Sequence, residues 1–251
     1  MAGHLFQGRS AMKKKSDVIG NLRSLIKEND RPANLINYQQ FHKEKLARPL
    51  GLKAPVLRKI SNQLFREIKH RPKKEIISIG HELLEAQERY FIFFAFEWAL
   101  KIKDQYSAGD FITFSSWLKK YVDNWGSCDH LCIGPIGQVI YQFPDLGTKT
   151  APWGKSKNRW MRRGAAVSLI PAVRKGLLFD QTLKVADLLL TDTDDMVQKG
   201  YGWMLKDASI IFRDEVMDFV LKNKNNMPRT ALRYAIERMP DNLRKKAMAP
   251  K

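Results

Sequence analysis

With 251 residues, 44% of them hydrophobic and 28% charged, the chain can bury a packed core, and its composition excludes a disordered polymer. A formal net charge of +18 calls for a polyanionic partner, and nucleic acid is the commonest in a cell. Two cysteines are too few for a disulfide framework or a four-ligand zinc site.

In chain order, Met1–Met12 lacks the apolar core of a signal peptide and is set apart from the fold. The first helix is expected near Ser16, as its cap, with Val18, Ile19, Leu22, Leu25 and Ile26 on one face. Pro55 suits a first helical turn and precedes the stripe Leu57, Ile60, Leu64, Ile68. Tyr90–Leu100 is apolar nearly all round, which predicts a helix packed on both sides. It carries Glu97 and is too short to span a bilayer, so no membrane association is expected. Further helices are predicted over 108–123, 126–143, 157–175, 180–190, 194–209, 213–224 and 228–247. Short punctuators separate them: Pro144-Asp145, Gly176, Thr191-Asp192, Asn225-Asn226 and Pro228. Cys128 and Cys132, on one helix face beside His130, are expected to be small buried thiols. Low cysteine usage fits a cytoplasmic protein. No linker divides the chain, so residues 1–251 read as a single helical domain.

The helices form a periodic set. A charged residue just ahead of an apolar run recurs at Arg89, Asp129, Arg163, Lys199 and Arg233, roughly 34 to 40 residues apart. Two helices per unit at this period predict an all-α helical-repeat solenoid of antiparallel helix pairs, with these five positions along a concave basic groove. Between Leu146 and Phe179 lie eight basic residues, among them Lys155, Lys157, Arg159, Arg162 and Arg163, and no acid. Within such a groove Asp129 is the single acid.

Trp125 lies four residues before Asp129, Arg159 four before Arg163, and Trp203 four after Lys199, so each pair shares a helix face. Each residue also has a purely structural reading. The two tryptophans can be core, and Asp129 can be a helix cap or the ion-pair partner of Arg163. The chain has no P-loop, zinc-protease helix or nucleophile elbow, and its five histidines show no ligand spacing. Neither a metal nor a cofactor is expected. Gly134-Pro135-Ile136-Gly137 has the look of a helix-hairpin-helix turn, in a run that otherwise reads as helix.

Four separated pieces occur in the order found in one family: Leu50-Gly51-Leu52-Lys53-Ala54-Pro55, Asn124-Trp125 with Asp129, Arg159-Trp160-Met161-Arg162-Arg163, and Val197-Gln198-Lys199-Gly200-Tyr201-Gly202-Trp203. Together they make roughly residues 16–247 resemble the bacterial DNA alkylation repair family of HEAT-like-repeat glycosylases, of the AlkD type. The resemblance implies that Trp125, Asp129, Arg163 and Trp203 match the positions of the active-site cleft. Gly126-Ser127-Cys128 departs from the family, whose members carry a more acidic, apolar stretch there. An aromatic that the family supplies from its amino-terminal helices has three candidates here, Tyr38, Phe41 and His42.

The implied activity is hydrolysis of the N-glycosidic bond of N3- or N7-alkylated purines in duplex DNA, as the first step of base excision repair by a monomeric enzyme. Such a base is already cationic and leaves without protonation, so the enzyme has to stabilise an oxocarbenium-like sugar and place a water on it. Asp129 would do both, Trp125 and Trp203 would pack on the sugar, and Arg159, Arg162, Arg163, Lys199, Arg233, Lys155 and Lys157 would hold phosphates. Asp129→Asn is then expected to leave folding and duplex binding little changed. A non-catalytic repeat scaffold for branched or damaged DNA is the competing expectation, and a protein-binding repeat the third.

Overall fold

The computed structural model describes residues 15–30, 51–88 and 90–249. Expectations placed on Met1–Met12, on Tyr38, Phe41 and His42, and on Arg89 fall outside these residues. Every regular element among the described residues is a helix. The chain divides into two compact units, Met1–Phe94 and Ala95–Lys251.

In the first unit, α1 (Lys15–Asn29) includes Ser16 instead of starting after it, and buries Val18 and Leu22. Helix α2 (Ala54–Ile68) opens on Pro55 and buries Leu57, Ile60, Leu64 and Ile68, the stripe expected from spacing. Helix α3 (Lys73–Ala86) follows an extended Pro72 and closes on a left-handed Gln87. The sequence reading assigns no element there, although Ile76, Ile79, Leu83 and Leu84 recur at helical spacing and are buried. The phenol of Tyr90 ties the unit together. Its oxygen accepts from the Gly51 and Leu52 amides at 2.9 and 3.2 Å and donates to Asp30 at 2.8 Å.

Helix α4 (Phe91–Lys101) has Phe91, Phe94, Ala95, Phe96 and Trp98 fully buried, as its all-round apolar sequence requires. Then come α5 (Asp110–Tyr121), α6 (Trp125–Leu131), a π-turn (Cys132–Ile136) and α7 (Gly137–Gln142). A single helix is expected over 126–143, but Pro135 has no amide to continue the ladder. The chain absorbs this as a π-bulge, with Gly134 at ψ −108°. Gly134, Pro135, Ile136 and Gly137 are buried, so this segment is a core kink and not a hairpin offered to DNA. A Cβ on Gly137 would lie 2.6 Å from the Pro171 ring.

After a 3₁₀ stretch (Pro144–Lys155) come α8 (Arg159–Val167), α9 (Ile170–Val173), α10 (Phe179–Leu188), α11 (Asp195–Ala208), α12 (Arg213–Asn223), α13 (Arg229–Ala235) and α14 (Asp241–Met248). The helices expected over 157–175 and 228–247 are each broken in two, the second before Pro240, where the ring fixes the backbone.

Side-chain contacts give the order of stacking. Cys128 meets Trp160 and Asp129 meets Arg163. Arg159 meets Asp194, and Arg163 reaches Met196 and packs on Gly200. Gly202 packs on Ala231 and Tyr234, and Lys206 meets Glu237. In each pairing the residue numbers rise together, so α6, α8, α11 and α13 run parallel as successive neighbours. Parallel neighbours need a returning segment between them, which makes each unit of the stack a helical repeat. Arg163 and the segment holding Lys199 lie side by side, as the sequence period requires.

Candidate active site

Asn124 sits in extended backbone and its side-chain oxygen accepts from the Ser127 amide at 3.0 Å. That bond caps α6, makes Trp125 its first residue and places Asp129 one turn further on. Asp129 is therefore not the cap. It is the ion-pair partner of Arg163, the other alternative left open by the sequence. The guanidinium donates from Nε to Oδ1 at 2.8 Å and from Nη2 to Oδ2 at 2.9 Å, while Nη1 donates to the Met196 carbonyl.

This fork holds the carboxylate in one plane with both oxygens engaged. The Arg163 side chain is 6% exposed and that of Asp129 18%, so the acid is the more open of the pair. Burial pushes the Asp129 carboxyl above its ordinary range, and the Arg163 bonds pull back against that shift without cancelling it. Trp125 and Trp203 are both half-buried, whereas Trp98 and Trp117 are fully buried. Trp125 shares the face of Asp129 at a spacing of one turn. Trp203 shares with Lys199 the open face of α11.

The other arginines of α8 are also engaged. Arg159 donates from Nη2 to Asp194 Oδ1 at 3.0 Å, with Nε 2.7 Å from Oδ2 as an ion pair, and its guanidinium lies 5.0 Å from the Trp160 ring. Arg162 binds Asp192 through Nε at 2.6 Å and Nη2 at 3.3 Å. Asp194 additionally caps α11 by accepting from the Met196 and Val197 amides. Arg162 and Arg163 are thus each matched to one acid across the repeat boundary, and Arg159 to Asp194 with Asp195 3.9 Å from its Nη2. Lys199 pairs with Asp195 at 3.3 Å. Lys155, Lys157 and Arg233 are exposed.

The sequence reading missed Asp192 and Asp194. They sit 30 and 35 residues beyond their arginines, close to the 34 that separates Asp129 from Arg163. Looking for acids one repeat after each arginine would have found them. A further missed pair joins α4 to α6, where His130 Nε2 lies 3.3 Å from Glu97 and holds the Glu97 carboxyl below its usual range. Cys128 and Cys132 are free and buried, and burial pushes the Cys128 thiol up, which makes it inert. Among the described residues, no three His, Cys, Asp or Glu side chains gather as a metal site, and no helix is long and apolar enough to cross a membrane.

No curated protein matches the chain. A solved structure, the predicted DNA alkylation repair enzyme from Enterococcus faecalis, matches with a TM-score of 0.75 at 19% identity, covering 85% of this chain and 98% of that one. At that identity the likeness speaks for the fold, which is the all-helical repeat arrangement built above. A family model described as DNA alkylation repair enzyme matches residues 22–239. That span takes in both units and every residue of the Asp129 site, and the chain belongs to the family of DNA alkylation repair enzymes.

Proposed function

We propose that this protein is a monofunctional DNA glycosylase that hydrolyses the N-glycosidic bond of cationic N3- or N7-alkylated purines in duplex DNA. The observation that carries the reading is Asp129: a carboxylate gripped by Arg163, still partly open, with a half-buried indole one turn away. A cationic purine leaves without protonation, so the positive charge grows on the sugar. A fixed carboxylate stabilises that charge without reorganising, and it accepts a proton from the attacking water. Arg163 fixes the plane of the carboxylate, so the lone pairs not used by the fork have a defined direction. The exposed faces of Trp125 and Trp203 supply polarisable walls, each worth about 0.5–2 kcal/mol toward a cation. The strand is left intact, and the enzyme acts as a monomer in the cytoplasm.

Phosphate holding falls in this reading to Lys155, Lys157, Lys199 and Arg233, with Arg159 and Arg162 contributing what their acids leave. Arg163 serves Asp129 first. The test is release of free methylated base from randomly methylated duplex DNA, wild type beside Asp129→Asn. Release by the wild type and its loss in the variant support the proposal. Equal release by both makes the carboxylate structural.

A second reading has its own observation. The Asp129–Arg163 fork has the same form as Arg162–Asp192, which joins repeats with no chemistry implied. On that basis the chain is a repeat scaffold that binds damaged or branched DNA without excision. It predicts salt-sensitive binding and no released base.

A further inference from the structure

Along α8, Arg162 and Arg163 each meet one acid and Arg159 lies between two, Asp194 and Asp195, whereas at Asp207 the ratio of arginines to acids is reversed. Asp207, in the last turn of α11, is fully buried and receives two guanidinium groups. Arg174 Nη2 lies 2.9 Å from its Oδ2 and Arg238 Nη1 lies 3.1 Å from its Oδ1. Two cations on one carboxylate leave a local charge of +1. Arg174 and Arg238 are also far more open than the matched arginines, at 41% and 48% against 26%, 19% and 6% for Arg159, Arg162 and Arg163. Arg174 donates one hydrogen bond to Asp207 and Arg238 meets it as an ion pair; a single contact does not occupy a guanidinium that carries five N–H donors, and at these exposures the remaining donors face solvent.

The place of this cluster on α11 matters. At 100° per residue, Asp195, Lys199, Trp203 and Lys206 form one partly open stripe of α11, with Met196 and Gln198 also partly open in its first turn, and Val197, Gly200, Tyr201, Met204 and Leu205 are buried behind it. Asp207 lies at the carboxyl end of that stripe, one turn past Trp203. Arg174 reaches it from the preceding repeat and Arg238 from the following one, so the two cations close over the end of the stripe from both sides. Lys206 is already spoken for, by Glu237 at 3.1 Å and the Tyr234 ring.

We propose that Arg174 and Arg238, held by Asp207, form a clamp for a backbone phosphate of the duplex, within about two nucleotides of the residue seated at Trp203. This rests on the reading of duplex DNA as the partner. The distance follows from helix geometry: four residues advance about 6 Å, and one strand of B-DNA advances about 3.4 Å per phosphate. Asp207 pre-orders both arginines, so little side-chain entropy is lost when the phosphate arrives. A staple between repeats needs one arginine per acid, as at Asp192 and Asp194. The second arginine adds charge that the fold does not require.

The experiment measures the affinity of the full chain for an undamaged duplex as a function of salt, for wild type, Arg174→Gln and Arg238→Gln. Each single variant keeps one arginine to neutralise Asp207, so the fold is retained, and thermal melting checks this. The slope of log K against log salt is expected to fall by about 0.9 per variant. The loss of affinity between 50 and 200 mM salt then shrinks by about threefold per variant. Asp207→Asn, which removes the acid and keeps both cations, is expected to leave the slope at least as steep as the wild type's. Unchanged slopes in both arginine variants overturn the clamp, whatever happens to melting. A wild type without any salt-dependent binding overturns the clamp together with the nucleic-acid reading. A wild type that binds but releases no base sinks the glycosylase alone, and the slopes still decide the clamp.

Discussion

Replacing Asp129 with asparagine removes one charge and keeps the outline of the side chain. Sequence alone suggests that folding changes little, but the structure says otherwise, because Arg163 is 6% exposed and spends two of its donors on that carboxylate. Breaking a buried pair from one side costs about 3–5 kcal/mol. Asp129 is 18% exposed and asparagine retains one acceptor, so about 2–3 kcal/mol is the reasonable share here. For a chain of this size that is a fall in Tm of roughly 4–12 °C. Loss of a pre-organised electrostatic group costs about 10²–10³ in rate, so the two effects must be separated. Asp192→Asn is the matched control. It breaks the equivalent fork to Arg162 at a similarly buried acid, with the same kind of fall in Tm and no role for Asp192 at the sugar. Single-turnover excision at saturating enzyme, well below both melting points, should drop by two orders of magnitude or more in Asp129→Asn and stay near wild type in Asp192→Asn. Equal losses in the two variants, or none in Asp129→Asn, would refute the reasoning.

Further outcomes follow from the same geometry. Asp129 acts as the anion and burial raises its pKa, so excision should fall on the acid side at a pH above the ordinary aspartate value of about 3.9. A pH–rate profile of Asp129→Asn should lack that limb. Glu97 is held below its usual range, first by the hydrogen bond with His130. Its stabilisation is therefore fully present above about pH 4.3 and is lost as the pH falls through the depressed value. Acid melts of Glu97→Gln should accordingly be flatter than those of the wild type. Gly202→Ala would put a Cβ 2.7 Å from that of Tyr234 and 2.8 Å from the Ala231 carbonyl, so urea unfolding should show a loss of about 1–3 kcal/mol. Gly20→Ala, in a helix with nothing within 4 Å, should instead gain about 0.8–1 kcal/mol.

What could be read from sequence was whatever repeats over short spans. The stripe Leu57–Ile68 and the all-round apolar α4 are such local patterns and the structure places them as read, while the longer period is seen in the contact of Asp129 with Arg163, 34 residues on. The interruptions were harder to see. Pro135, Pro171 and Pro240 break three expected helices, because in each case apolar spacing continues on both sides of the ring and only the missing amide marks the break. Helix α3 is hard to see in the sequence although its spacing is regular, since the lysines and glutamates of 73–85 dilute the apolar signal. At the site, sequence narrowed Asp129 to a cap or a partner of Arg163, and only coordinates could choose, because the choice depends on Asn124 taking the cap. That Arg159 and Arg162 are matched to Asp194 and Asp192 was hidden for a related reason: charge counts along one segment ignore acids one repeat away. The basic stretch 146–179 is less free than it reads, and the uncompensated charge lies instead at Arg174 and Arg238.

Excision is read out by product analysis after incubating the wild-type chain with randomly methylated duplex DNA. Free 3-methyladenine or 7-methylguanine should appear in solution, with an abasic but uncut strand left behind. Duplex bound tightly with every methylated base still attached would contradict excision.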